Sequence, residues 1–301
     1  MFKTVMMYRI GSVWEQTVAK LELALEENRF VACAASQEKS VGWIPPRGEE
    51  HGPLVEVVAG QWILQLMVEV KVLPGTVVKR KADEQLQHIE ATTGRKPGKK
   101  EAREIREDAR LSLLPLAFTK QSSVLVWIDP QAQRLVLSAG SQARADEVMT
   151  CLIKAVDGLA PQLINTQMSP AAAMSIWLST KEAPQGFSVD RECELKAADE
   201  SKAVVRYTRH ALDTDEVSQH IANGKVPTRL ALTWNDHVSF VLTEALQLKK
   251  VAVLDVVFEG AGAAGDGKDD AFDTDVAIAT GELRKLIPDL LDALGGELNT
   301  G

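Results

Sequence analysis

The sequence predicts an α+β fold in which antiparallel sheets carry flanking helices and a helical finger projects from the body. Strand-like runs, rich in β-branched and aromatic residues, come in pairs and threes between amphipathic helices rather than alternating one for one. Apolar residues make up 45% of the chain, which is enough for a core. A polar, helix-favouring stretch at residues 79–120 interrupts this pattern and predicts the finger.

The first 72 residues predict the order strand–helix–strand–strand. Residues 2–10 favour a strand, and residues 14–25 carry apolar side chains at the i, i+4, i+7, i+11 spacing of one helix face. Residues 30–35 predict another strand. The two prolines within residues 41–46 predict an extended loop there, because proline cannot donate to a strand ladder. Apolar side chains at alternate positions predict a strand at Gln61–Val72; they are Trp62, Leu64, Leu66, Val68 and Val70.

The polar stretch at residues 79–120 holds 11 Lys/Arg against 7 Asp/Glu, a balance of +4 (11 − 7), although the whole chain carries −8. Pro97-Gly98 is a turn signal, so two helical arms of about 15 residues, each about 22 Å long, are predicted to meet there. Such a reversal of charge is informative about partners rather than about fold. The candidate residues of this hairpin for contact with a polyanion are Arg95, Lys96, Lys99, Lys100 and Arg103.

This basic hairpin has two interpretations that composition does not separate. It is a solvated insertion whose charges keep it soluble, or it grips a polyanion. The apolar run that comes after it, residues 111–118, either returns into a core or forms an exposed contact patch. Phe118 is the candidate for such a contact.

The remaining pattern predicts more antiparallel sheet, with the helices of the first domain on one face. Strands are predicted at 123–128 and 135–138, followed by a helix that carries Val148, Leu152 and Ala155 on one side. Beyond a polar boundary at 161–170, the prediction is a helix at 171–179, a strand at 203–207, a helix at 214–222, strands at 226–234, 237–243 and 248–258, and a helix at 281–294 that Pro288 kinks or breaks. The predicted domains are a central α+β domain (1–78 and 118–165), the finger (79–117) and a base α+β domain (166–301).

Several classes of protein are disfavoured by composition. No run of about 18 apolar residues is present to span a membrane, and the N-terminus lacks the apolar region of a signal peptide. Cys33, Cys151 and Cys193 are scattered, which argues against a disulfide framework or a zinc site and suits a reducing cytoplasm. None of the five histidines lies in a His-Glu-x-x-His motif. We therefore predict no enzyme, no metal and no cofactor.

A glycine-rich segment resembles nucleotide-binding motifs. Residues 260–265 match Gly-x-Gly-x-x-Gly, and residues 262–268 nearly match a phosphate loop. Both motifs require a helix directly after them, so that its N-terminal amides face the phosphate. The acidic run at 269–275 lacks helical apolar spacing, and Asp269 stands where a hydroxyl is needed. We interpret the segment as a loop.

A second basic patch lies at residues 206–210, with Lys225 and Arg229 further along the chain. If the preceding strand ends as predicted, Arg209 and His210 occupy the loop at its exit, where binding groups often lie. Scattered surface charge is the alternative interpretation.

Short motifs of fixed order run through nearly the whole chain. They are Phe2-Lys3, Tyr8-Arg9, Gly42-Trp43-Ile44-Pro45-Pro46, Ser112-Leu113-Leu114-Pro115, Ala117-Phe118, Trp127-Ile128-Asp129, Gln185-Gly186-Phe187, His220-Ile221, Gly224-Lys225-Val226, Leu230-Ala231-Leu232-Thr233-Trp234, Thr280-Gly281-Glu282-Leu283 and Gly295-Gly296-Glu297. By their order and spacing, the chain resembles the RdgC family of bacterial recombination-associated DNA-binding proteins.

The resemblance implies a ring-shaped homodimer that encircles double-stranded DNA without sequence preference. It further implies that the protein lies in the nucleoid, restrains RecA-mediated recombination and acts at replication forks. One dimer contact is implied in the base domain, and a second contact, the gate, lies near the fingers.

The resemblance also implies roles for single residues. Phe118 matches the aromatic residue of the gate. Arg209 and His210 fall where the family has a Lys-Gln pair implicated in DNA binding, and Lys225 matches a family lysine. Leu116 stands where family members can carry Arg, so the gate is expected to be more apolar here.

Two other classes of function stay open. One is a protein-binding adaptor that docks an acidic partner on the basic hairpin, and the other is a nucleotide-using enzyme. The sequence shows no helix-turn-helix, zinc-finger or RNP pattern, so DNA contacts are predicted to be with the backbone.

Overall fold

A 12-stranded antiparallel sheet forms the frame of the molecule, and helices pack on both of its faces. The computed structural model describes residues 1–11, 14, 16–259 and 268–298. The α+β class and the antiparallel pairing predicted from the sequence are confirmed.

The first half of the chain supplies the strands on one side of the sheet and two helices in tandem. Its elements are β1 (Thr4–Arg9), α1 (Val18–Glu26), β2 (Lys39–Ile44), β3 (Glu56–Val58), β4 (Gln61–Val72), α2 (Gly75–Thr93), α3 (Lys99–Leu113), β5 (Phe118–Asp129), β6 (Arg134–Leu137), α4 (Gln142–Ala155) and β7 (Gln162–Leu163). A 3-10 turn at Leu114–Leu116 joins α3 to β5. The predicted strand at Gln61–Val72 is confirmed with its bounds.

The second half supplies the other side of the sheet. Its elements are α5 (Pro170–Thr180), β8 (Phe187–Ala197), β9 (Val204–Thr208), α6 (Asp215–Ala222), β10 (Lys225–Trp234), β11 (Val238–Thr243), β12 (Leu248–Val253), α7 (Asp255–Glu259) and α8 (Lys268–Ala293).

Strand β1 joins the two halves of the sheet. The order of strands across the sheet is β2-β4-β5-β6-β1-β12-β11-β10-β8-β9. Its residues Thr4 and Val5 pair with β12, whereas Met6 to Arg9 pair with β6. Successive side chains of a strand point to opposite faces. Accordingly, Val5 belongs to the core under α5 and α8, and Met6 to the core under α1 and α4. The two halves thus bury their helices on opposite faces of one sheet.

The edge of the sheet that β2 forms differs from the prediction. Residues 30–35, all of which are described, form no strand, and the predicted loop at 41–46 instead begins as β2. Phe30 donates its backbone N–H to the Trp43 carbonyl at 2.9 Å, so the segment before β2 covers its outer edge. Proline pushes the preceding residue into extended backbone, so Pro45 ends the strand without excluding it.

The second half differs from the sequence analysis in three places, one omission and two wrong predictions. Strand β8 was not predicted, and the strand expected to reach residue 258 ends at Val253 and is followed by α7. The third concerns the acidic run at 269–275, which is helical because α8 begins at Lys268. Phe272 packs partly buried against the core, and Val276, Ala279 and Leu283 continue its helical spacing as buried residues, so the apolar stripe of α8 starts within that run.

The helix that both nucleotide-binding motifs require is present, since α8 begins at Lys268. The residues of the motifs before it, 260–267, lie outside the described residues. At its other end, α8 continues through Pro288, which lies inside the helix and does not break it.

Candidate nucleic-acid interface

Helices α2 and α3 pack on each other through small side chains. Ala82 and Ala109 are 1% and 0% exposed and permit close contact between the two backbones. Gly94, with a φ of 66°, ends α2 in the left-handed conformation that glycine adopts without strain. The predicted turn at Pro97-Gly98 lies in the connection. With 19 and 15 residues, the helices are about 28 and 22 Å long.

The basic cluster lies where these helices join, and its charges are not equivalent. Arg95 donates two hydrogen bonds to the Glu101 carboxylate, from Nη1 at 2.8 Å and from Nη2 at 2.9 Å. This pairing lowers the pKa of Glu101 and raises that of Arg95. Four exposed cations make no ion pair with any residue that the structure describes: Lys96, Lys99, Lys100 and Arg103. These four charges are therefore available to an anion, whereas that of Arg95 is already matched.

The apolar run after α3 divides between core and surface. Leu114 is 2% exposed, but Leu116 and Phe118 are 78% and 87% exposed. Phe118 lies directly opposite Val72 in the β4–β5 ladder, so the two side chains are neighbours on one face. Val72 is itself exposed. An exposed aromatic ring beside exposed aliphatic groups is typical of a contact surface.

The second basic patch forms around the ring of Tyr207. Arg209 leaves β9 with a φ of 57°, in the left-handed region, and its side chain is exposed. The His210 ring lies 5.5 Å from the Tyr207 ring. On the other side, the His220 ring lies 6.4 Å away, and Lys225 Nζ is 3.2 Å from His220 Nδ1. The structure thus brings Arg209, His210 and Lys225 to one locality.

Tyr207 is held at the centre of this patch. Its hydroxyl group donates a hydrogen bond to Glu216 at 2.9 Å. Burial, with the nearby Glu216 carboxylate, raises the pKa of Tyr207 to about 12. The phenol therefore stays neutral at any physiological pH.

Sequence reasoning missed the carboxylate that neutralises part of this patch. Glu194 accepts hydrogen bonds from Arg206 Nε at 2.6 Å and from the Thr228 hydroxyl group at 2.8 Å. The β8–β9 ladder places Glu194 directly opposite Arg206, so recognising β8 as a strand would have revealed the pair. His220 was likewise missed as the neighbour of Lys225.

The two basic surfaces lie far apart within one chain. The helix pair leaves the sheet at β4 and returns at β5, next to one edge, whereas β9 forms the other edge. Eight strand spacings separate β4 from β9, or about 38 Å along the sheet. A single protomer does not bring the surfaces together.

Comparison with known proteins assigns the family. A protein-family model described as "Putative exonuclease, RdgC" matches residues 1–297. The chain belongs to the RdgC family.

Relatives named "Recombination-associated protein RdgC" match at nearly full length. The protein of Dechloromonas aromatica (strain RCB) is 42% identical over 300 residues, covering 99% of this chain and 98% of the relative. Those of Herminiimonas arsenicoxydans and Bordetella pertussis are 45% and 44% identical over 296 residues, covering 98% of each chain.

The names used within the RdgC family suggest two different functions. The family description mentions an exonuclease, and the relatives' names mention recombination. In the described part of the chain, no group of three or more His, Cys, Asp or Glu side chains is placed to hold a metal ion. No described helix combines the length and apolar character needed to cross a membrane.

Proposed function

We propose that this protein binds double-stranded DNA without sequence preference as a ring-shaped homodimer. The observation that carries the proposal is the group of exposed cations Lys96, Lys99, Lys100 and Arg103, which lack ion-pair partners among the described residues of a chain whose net charge is −8. A protein that repels DNA overall needs such a local surface to approach it.

The chemistry of this surface favours the DNA backbone over the bases. Lysine is a flexible point charge that binds phosphate without a fixed orientation. Each cation that neutralises a phosphate releases counterions, so affinity falls steeply with salt and depends little on sequence.

An exposed apolar surface supports the closure of a ring by two copies of the chain. Phe118 and Leu116 present apolar surface to solvent close to the root of the helix pair. In a two-fold symmetric dimer, this surface meets its own copy, which forms the gate. A second contact through the base domain then closes the hoop, with Arg209, His210 and Lys225 facing the same DNA.

Enclosure explains how such a protein restrains RecA-mediated recombination and acts at replication forks. A closed hoop blocks strand exchange and protein traffic on the duplex it surrounds. The interaction with RecA is therefore indirect, through shared DNA. The location that this activity requires is the nucleoid of the cytoplasm.

The test is duplex binding across a range of salt concentrations, measured by fluorescence anisotropy. Lys96→Ala/Lys99→Ala/Lys100→Ala is expected to weaken binding equally for unrelated sequences and to reduce the log–log salt slope by up to about 2.7 per protomer, or about 5.4 for the dimer. Glu101→Gln is the matched opposite change, because it releases Arg95 and steepens the slope by up to about 0.9 per protomer, or about 1.8 for the dimer. Unchanged slopes in both variants would exclude the helix pair as the DNA site.

The family description makes exonuclease activity the second candidate. An end-labelled duplex incubated with Mg²⁺ or Mn²⁺ distinguishes the two. Shortened products that appear with the protein, and not in its absence, would assign exonuclease activity. An intact duplex under conditions of full binding favours the hoop.

A further inference from the structure

A cleft of about 830 Å³ lies between the root of the helix pair and the sheet edge. The start of α2, the part of α3 from Arg103 to Arg110, and the adjoining ends of β2 and β4 form its walls. Six cations and two carboxylates line it. The cations are Lys39, Lys71, Lys79, Arg103, Arg106 and Arg110.

Three of these cations already have partners. Lys71 Nζ donates to the carbonyl oxygens of Ala35 at 2.7 Å and Leu114 at 2.9 Å, which fastens the helix pair to the sheet. Lys39 pairs with Glu147. Arg110 pairs with Glu38 at 2.6 Å across the cleft.

The other three cations are exposed and make no ion pair with a described residue: Lys79, Arg103 and Arg106. They come from both helices, so a ligand in the cleft meets positive charge from two sides. This concentration of charge favours an anion.

The floor of the cleft narrows the choice of anion. It is aliphatic, formed by Val70, Leu73, Val78 and Leu114. None of the described residues that line the cleft is aromatic. Single-stranded nucleic acid binds on aromatic platforms that stack its bases, and this cleft offers none. A peptide that carries both carboxylates and an apolar side chain suits a cationic rim above an aliphatic floor.

The ion pair between Glu38 and Arg110 shows how a carboxylate fits. The two side chains are 49% and 45% exposed, so the pair is only weakly stabilised and is readily displaced. A ligand carboxylate that replaces Glu38 frees no buried charge.

We propose that this cleft binds an acidic peptide segment of a partner protein. Its carboxylates bind Lys79, Arg103 and Arg106, and an apolar side chain rests on Leu73 and Val78. The site lies toward the root of the helix pair, whereas the DNA-binding lysines lie at its joined end. One protein thereby holds DNA and recruits an acidic partner with the two ends of the same element.

The probe is a fluorescein-labelled peptide, Asp-Asp-Asp-Leu-Asp-Asp-Leu-Phe, titrated at physiological ionic strength. Lys79→Ala/Arg106→Ala is expected to raise its Kd about tenfold, while Glu38→Gln lowers it several-fold. Arg103 stays unchanged because it is also a candidate for DNA binding. The control is Lys96→Ala/Lys99→Ala/Lys100→Ala, which is expected to keep the peptide Kd within about twofold, since screening limits the reach of exposed charge.

Three results would overturn the proposal. The first is equal affinity for the same peptide with Asn in place of every Asp. The second is an unchanged Kd in Lys79→Ala/Arg106→Ala when circular dichroism shows a native fold. The third is oligothymidylate binding that is tighter than peptide binding and is lost with the same two residues, which would make the cleft a nucleic-acid site. Duplex binding measured on the control variant reports on the DNA site separately.

Discussion

The carboxylate of Glu194 ties three strands together beneath the second basic patch. It belongs to β8 and accepts hydrogen bonds from Arg206 on β9 and Thr228 on β10. The hydrogen bond from Arg206, followed by that from Thr228, keeps the pKa of Glu194 below its usual value of 4.5. A carboxyl group with a depressed pKa contributes stability above its unfolded pKa and loses it as the pH falls through the folded pKa.

This linkage predicts the pH dependence of one variant. Glu194→Gln is expected to lower the urea midpoint at pH 7, and the difference from the parent should shrink as the pH falls below the usual carboxyl pKa of 4.5. Urea unfolding, followed by circular dichroism at pH 7 and at a pH below 4.5, measures the difference between the two midpoints. Glu27→Gln is the control, because this exposed carboxylate has no ion-pair partner among the described side chains. A difference that stays constant with pH would contradict the role assigned to Glu194.

At the scale of elements, the close approach of two backbones protects the edge strand β2. The Cβ atom of an alanine at position 42 would lie 2.4 Å from Phe30 Cα and 2.6 Å from Phe30 N. Both are backbone atoms of the segment that covers the strand, so no side chain can rotate away. Gly42 is therefore required by space rather than by its backbone angles.

Gly42→Ala is predicted to destabilise the protein by about 1–3 kcal/mol or more, because overpacking forces the covering segment away from the edge of β2. Gly140→Ala is the matched control, since its Cβ would meet no described atom within 4 Å, and a change within about 0.5 kcal/mol is expected. Chemical unfolding of both variants measures the difference. Equal stability of the two variants would show that β2 tolerates a shift of its cover.

These elements show what the sequence predicts well and what it does not. Strand β4 carries an apolar side chain at every second position from Trp62 to Val72, and both its ends were predicted. Strand β8 was missed because charged residues fill its exposed side, while Cys193 and Leu195 on the other side are buried. Its neighbours β9 and β10 stabilise it, and a local pattern does not contain that information.

The candidate site was predictable to the same degree. The turn at Pro97-Gly98 placed the basic cluster at the joined end of two helices, as the structure does. The pairing of Arg95 with Glu101 was not predicted, because an ion pair across a loop depends on coordinates rather than on charge counts. The cleft at the root of the helix pair was missed for the same reason, since β2, β4 and both helices build it together.

At the scale of the whole molecule, the sheet separates the two basic surfaces, and the proposed hoop has a second copy present them to the same duplex. The helix pair and Phe118 lie near one edge of the sheet, and Arg209 leaves the other. We propose that a hoop closed at both ends of the protomer would bring these surfaces around the DNA from opposite sides. Under that proposal, enclosure would hold the DNA even when salt weakens each phosphate contact.

Phe118→Ala is expected to open the gate and leave the base contact intact. Sedimentation velocity at micromolar concentration should show a dimer that sediments more slowly than the parent, because an open dimer is less compact. Leu23→Ala is the control, since it removes an exposed apolar side chain from α1. Free monomers in Phe118→Ala would refute two separate contacts, and an unchanged sedimentation coefficient would remove Phe118 from the gate.

Retention on circular against linear DNA of the same sequence separates enclosure from ordinary electrostatic binding. After loading at low salt and a wash at high salt, the protein is expected to remain on covalently closed circles and to be lost from linear molecules through their ends. Equal retention on both forms would contradict enclosure and leave electrostatic attraction as the whole of the interaction.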